Sequence, residues 1–178
     1  EGNPMDSSVL TPENFWDYTG KTEGNHWDFT RFNPKHFQHI ENCIRRLGEL
    51  GIEADLIMMH PYDRWGFSQM TKEQDDLYWN YAVARFSAFA NVWWSLANEY
   101  DLMPHKAIQD WERYASILCE KDPYHHMRSI HNCVSLYDFS RPWITHCSVQ
   151  RTDLYKSSEI TNELRERYHK PVVLDEIA

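Results

Sequence analysis

Asn91-Val92-Trp93-Trp94-Ser95-Leu96-Ala97-Asn98-Glu99 decides how this chain is read. Val92 to Ala97 is too short for a helix and too apolar for a loop, so it reads as a buried strand. The run stops abruptly at an Asn-Glu pair. A carboxylate just past the end of a buried strand is rigidly held and has no packing explanation. The chain's last apolar run has the same form, Pro171-Val172-Val173-Leu174-Asp175-Glu176. As parallel strands of one sheet, the two runs place Glu99 and Glu176 at the same end. Two carboxyl groups facing one cleft are the equipment for glycosidic bond cleavage.

Around these runs, helix and strand signals alternate. Asn33-Pro34 supplies a cap and a first-turn proline, and Phe37, Ile40, Ile44 and Leu47 follow at helical spacing. Gly51 ends that helix. Ala54 to Met59 is the next strand, and it delivers His60-Pro61-Tyr62-Asp63-Arg64-Trp65-Gly66 into a loop. Thr71 to Gln74 has the form of a capping box, and the helix behind it carries Leu77, Tyr81, Ala84, Phe86 and Phe89. A further helix spans His105 to Glu120, with Ile108, Trp111, Ala115 and Leu118 on one face. His126 to His131 and Trp143 to Ser148 read as strands. A last helix, capped near Ser157, leads to the closing strand. Residues 1–32 lack periodicity and read as a long irregular loop.

Alternating apolar strands and helices imply a parallel sheet covered by helices, an α/β fold. No Gly-rich phosphate loop follows any strand, so a nucleotide-binding doubly wound sheet is not supported. Polar residues instead collect after successive strands: His60 and Asp63, Asn98 and Glu99, His131 and Asn132, His146 and Gln150, then Glu176. A (β/α)8 TIM barrel builds its active site this way, from the C-terminal ends of its strands. The 178 residues hold about five of eight repeats. The chain is therefore expected to be one partial TIM-barrel domain, residues 1–178, covering the third to seventh strands. Its two open sheet edges are expected to be covered by a second copy or by the remainder of the barrel.

Bulk properties narrow the partners. A net charge of -9 and a pI near 5.5 argue against a nucleic-acid partner, because phosphate binding needs a basic face. No apolar run reaches membrane-spanning length. Cys43, Cys119, Cys133 and Cys147 are scattered, outside any zinc-binding spacing, and lean towards a reducing, cytoplasmic compartment. Glu1-Gly2-Asn3-Pro4 reads as the interior of a longer protein. The 8 Trp, 10 Tyr and 8 Phe suit either an aromatic core or a cleft whose walls stack on sugar rings.

The run Trp94 to Glu99, the run Val172 to Glu176 and the segment His60 to Gly66 together resemble the clan A retaining glycoside hydrolases. The resemblance is to their family-5-like cellulase and β-glycosidase branch, from about Asn33 onward. It implies that Glu99 is the general acid/base and Glu176 the nucleophile, with Asn98 binding the sugar 2-hydroxyl. Glu99 must then be protonated when it meets the leaving oxygen, and Glu176 ionised. His60, Tyr62, Asp63, Arg64, Trp65, His131, Asn132, His146 and Gln150 are expected to line the substrate site of an oligo- or polysaccharide. Against this, the histidines also fit hydrogen-bonded core or rim positions, Tyr62 and Trp65 fit loop packing, and Arg64 fits an ion pair. The family's His-x-Tyr is missing, since His131 is followed by Asn132-Cys133 and His146 by Cys147-Ser148. No cofactor or metal is expected. Two other readings stay open: an amidohydrolase-like barrel holding zinc through His131 and His146, and a non-catalytic carbohydrate-binding fragment.

Overall fold

The computed structural model describes residues 28–62, 66–150 and 158–176, together with the backbone of one short strand near the N-terminus. That strand, β1 (Met5–Asp6), pairs antiparallel with β2 (Asp28–Phe32). The irregular loop expected over residues 1–32 therefore ends in a strand. Its signal was weak because only Phe29 and Phe32 of the five β2 residues are apolar. Phe32 stacks flat on Tyr81, with ring centroids 3.8 Å apart, which fixes the hairpin against a helix.

Parallel strands and covering helices follow. Helix α1 (Pro34–Glu49) starts at Asn33, whose side chain accepts from the His36 amide, and buries Phe37 and Ile44. Strand β3 (Ala54–Ile57) leads to helix α2 (Lys72–Phe86), where Thr71 and Gln74 close both bonds of the capping box. Strand β4 (Val92–Ser95), helix α3 (Ile108–Lys121), strand β5 (Arg128–Ser129), strand β6 (Cys147–Gln150), helix α4 (Ser158–Tyr168) and strand β7 (Val172–Glu176) complete the order. β3, β4 and β5 form one parallel sheet, with Ala54 opposite Val92 and Ser95 opposite Ser129. β6 and β7 form another, with Cys147 opposite Val172.

Hydroxyl side chains join the two sheets where a ladder would run. The Thr145 amide donates to the Arg128 carbonyl at 2.9 Å, the Arg128 amide donates to Thr145 Oγ1 at 2.8 Å, and Ser129 Oγ donates to the His146 carbonyl at 2.6 Å. Side-chain hydroxyls stand in for part of the main-chain ladder here, and β5 is only two residues long. The strand expected over residues 143–148 sits later, at Cys147–Gln150, which leaves His146 before its strand instead of after it.

Alternate strand residues face opposite ways. Ala54, Val92, Trp94 and Leu96 are buried beneath the helices, and the Trp94 indole donates to Asp122 at 3.2 Å. Asp55, Trp93, Ser95, Ser129, Ser148 and Asp175 take the other face. Asp55 on β3 and Asp175 on β7 lie within electrostatic reach of each other, so the strands curl round a shared polar interior.

The buried face of α2 differs from the apolar set read in the sequence. Leu77 is 41% exposed and Ala84 exposed, while Asp75, Tyr78, Trp79, Ala82, Val83 and Phe86 are buried. α2 packs between the strands and α3, so its inner surface includes a charged residue that periodicity assigns to solvent. Asp75 accepts from Lys106 Nζ at 2.6 Å and from the Tyr114 hydroxyl at 2.5 Å, and Lys106 also donates to the Met70 carbonyl at 2.9 Å. Both ion-pair side chains are at most 3% exposed. Asp75→Ala strands the Lys106 ammonium, and the expected loss is about 3 kcal/mol or more in denaturant unfolding. The double replacement Asp75→Leu with Lys106→Met should recover most of that loss. Equal loss in both variants would show that the ion pair itself is not what matters.

Candidate active site

The ends of β3, β4 and β5 are laced together beyond their formal limits. The Asn98 amide donates to the Met59 carbonyl at 2.9 Å, the His131 amide to Ala97 at 3.1 Å, and the Tyr100 amide to His131 at 2.9 Å. These bonds carry the parallel register into the loops where the polar residues stand. Asp101 adds a clamp, accepting from the amides of Cys133, Val134 and Ser135 at 2.7, 2.8 and 2.7 Å. Burial opposes its charge, but the three amides hold its carboxyl below the usual range.

Glu99 sits inside this lacing. It is 3% exposed, and its backbone is left-handed, at φ 48° and ψ 54°. A side chain with a Cβ pays about 1–2 kcal/mol for that conformation, and such strain clusters at functional sites. The Tyr62 hydroxyl donates to Glu99 Oε2. The Cys133 thiol also bonds Glu99, and burial, that bond and the nearby charges of Glu99, Asp101 and Glu176 all push the thiol up. One sulfur thus lies within the field of both glutamates. Tyr62 itself is 62% exposed, and its ring lies 6.4 Å from that of His60.

His131, 3% exposed, gathers the strand ends opposite. Its Nδ1 lies 3.3 Å from Ser148 Oγ and 3.5 Å from Asp175 Oδ2. Its Nε2 lies 3.1 Å from Gln150 Oε1 and 3.6 Å from Glu176 Oε2. Burial works against its charge, yet Asp175, Gln150 and Glu176 raise its pKa above the ordinary value.

Asn98 is half-buried at the strand end, and His60 is exposed. Asn132 is fully buried, and its amide clasps the Gln150 backbone from both sides, at 3.3 and 3.4 Å. His146 is buried ahead of β6, its ring 5.5 Å from that of Trp93, and burial lowers its pKa. Asp63, Arg64 and Trp65 lie outside the described residues. Among the described residues no three His, Cys, Asp or Glu side chains converge in an arrangement that could hold a metal ion. No described helix is long and apolar enough to cross a membrane.

Asp55, Asp101, Cys133, Ser148 and Asp175 were not singled out from the sequence. Asp55 had a usable signal, a charge in the middle of an apolar strand. It keeps contact with solvent on the open side, yet the protein packed round it and the Asp175 carboxylate push its carboxyl up to about 6. The folded state then binds the proton more tightly than the unfolded chain, whose value is 3.8. Asp55 therefore favours folding at low pH, and that contribution fades as pH rises from about 4 to about 6. Asp55→Asn is expected to raise Tm at pH 7 and leave it unchanged at pH 3, with the gain kept small by solvent screening. A gain of equal size at both pH values would rule this out.

Residues 6–178 match the Apiosidase-like, catalytic domain family. A crystal structure of a candidate glycoside hydrolase from Bacteroides vulgatus superposes with a TM-score of 0.87 at 41% identity, covering 99% of this chain and 34% of that one. A glycoside hydrolase family 5 structure from the same organism gives 0.57 at 18% identity, over 79% of this chain and 34% of that one, and shows likeness of fold alone. No protein of curated function matches. The chain spans about a third of the length of the two solved structures. With the match running through both strand-end glutamates, this chain belongs to the Apiosidase-like, catalytic domain family.

Proposed function

We propose that this chain carries the catalytic pair of a retaining glycoside hydrolase, on the third to seventh strands of a (β/α)8 barrel. The observation that carries the reading is Glu99 itself: a buried carboxyl, in strained backbone, at the end of β4, beside a thiol that also feels Glu176. Glu176 at the end of β7 is 47% exposed, open to an incoming substrate.

In this mechanism the Glu176 carboxylate attacks the anomeric carbon while Glu99 gives its proton to the departing glycosidic oxygen. The C–O bond breaks as the glycosyl–Glu176 ester forms. Glu99, now ionised, takes a proton from water, which attacks the same carbon and releases Glu176. Two displacements leave the anomeric configuration as it began. Tyr62, donating to Glu99, fixes the carboxyl's orientation. Asn98 is proposed to hold the sugar 2-hydroxyl, with His60 and Tyr62 at the rim. The family name points to apiosyl groups, branched five-carbon sugars, as the substrate class. The edges of β3 and β7 that no described strand pairs with are proposed to receive the remaining strands or a second copy.

The test is the first-formed product, followed by proton NMR during hydrolysis of 4-nitrophenyl apiosides and hexosides. Retention of configuration is expected. An inverted first product would overturn the double displacement.

A further inference from the structure

His131 is surrounded by oxygen acceptors on both ring nitrogens. Ser148 has one hydroxyl hydrogen, and it donates that to Asp175 Oδ2. Its oxygen, 3.3 Å from His131 Nδ1, is therefore left to accept. The carbonyl oxygen of Gln150, 3.1 Å from Nε2, can only accept. Behind these stand Asp175 Oδ2 at 3.5 Å from Nδ1 and Glu176 Oε2 at 3.6 Å from Nε2. A neutral imidazole has one N–H and would turn a bare lone pair on one of these oxygens. Among the described residues, the charged groups facing the ring are Asp55 from β3 and Asp175 and Glu176 from β7, with Ser148 and Gln150 as neutral neighbours from β6. The ring is too enclosed to meet a sugar. Its backbone, bonded to Ala97 and Tyr100, fixes its distance from the Glu99 turn.

We infer that His131 is a doubly protonated positioning residue for Glu176, braced between Asp175 and Glu176, and not a substrate contact. It holds Glu176 aimed along the strand end from 3.6 Å, while Asp175, 3.5 Å from the other ring nitrogen, supplies the counter-charge that lets a buried cation persist. This rests on the reading of Glu176 as the nucleophile.

Histidine-selective 15N NMR on the full chain reads the ring directly. Both nitrogens of His131 are expected at imidazolium shifts at pH 7, and the titration midpoint should fall in Asp175→Asn and in Glu176→Gln. A neutral tautomer at pH 7, or a midpoint unmoved by both replacements, overturns the inference without any variant at His131. Kinetics then separates positioning from folding. His131→Asn should lower kcat by about 10²-fold with little change in KM. An inactive Glu176→Gln enzyme beside a His131→Asn enzyme with wild-type kcat would sink this inference alone. An active Glu176→Gln enzyme would sink the functional reading, leaving the NMR result for the ring standing.

Discussion

Glu176→Gln is expected to remove turnover by a factor on the order of 10⁵ to 10⁶, the scale on which an enzyme loses its covalent nucleophile. The amide is nearly the shape of the carboxylate, so little of this loss can come from packing. It comes from two electronic changes. The amide oxygen is a poor nucleophile, and the positive charge that builds on the sugar ring in the transition state loses its opposing charge. Folding should be little affected, since the Glu176 side chain is 47% exposed and its contact with His131 is long, at 3.6 Å. Thermal melts of the variant serve as the control. Turnover within ten-fold of wild type, measured on the same 4-nitrophenyl glycoside, would dismiss Glu176 as nucleophile.

What the sequence revealed about this site follows from what physics writes into short stretches. A buried strand ending in Asn98-Glu99 is visible because apolar residues stop at a carboxylate, and the Val172–Glu176 strand repeats the form. The helix α1 was legible because Asn33 and Pro34 mark its start and its buried face is simply apolar. The interior of the curled sheet was not legible. Asp55, Ser148 and Asp175 gain their meaning from His131, which meets them across other strands, and no local pattern records that meeting. The same holds for Asp101, whose three amide partners lie 32 to 34 residues away. β5 was hard to place because serine and threonine hydroxyls stand in for part of its ladder. Asn132 looked like a ligand contact because it follows a strand, yet its amide is engaged by the backbone of Gln150. A strand-end polar residue can thus serve either the substrate or the neighbouring loop, and only its partners distinguish the two roles.

Glu99 offers the sharper test, because an acid/base residue fails differently with different substrates. Glu99→Ala is expected to lower kcat/KM by about 10³ to 10⁴-fold for a glycoside with a poor leaving group, which needs the proton. For a 4-nitrophenyl glycoside, whose leaving group departs unassisted, the first step should be nearly unharmed. The second step then limits the rate, because no base activates water. A burst of 4-nitrophenol should appear, and azide, which needs no deprotonation, should restore turnover and yield a glycosyl azide of retained configuration. The backbone makes a further comparison available. At φ 48° Glu99 already carries the penalty of the left-handed region, so Ala inherits it and Gly escapes it. Glu99→Gly should therefore be more stable than Glu99→Ala by about 1 kcal/mol while sharing its kinetic defect. The protein retains a strained, buried carboxyl where a glycine would fold more readily, and the azide experiment asks whether acid/base chemistry is the reason. Equal losses on both classes of substrate, with no response to azide, would reduce Glu99 to a structural residue bonded to Tyr62 and Cys133.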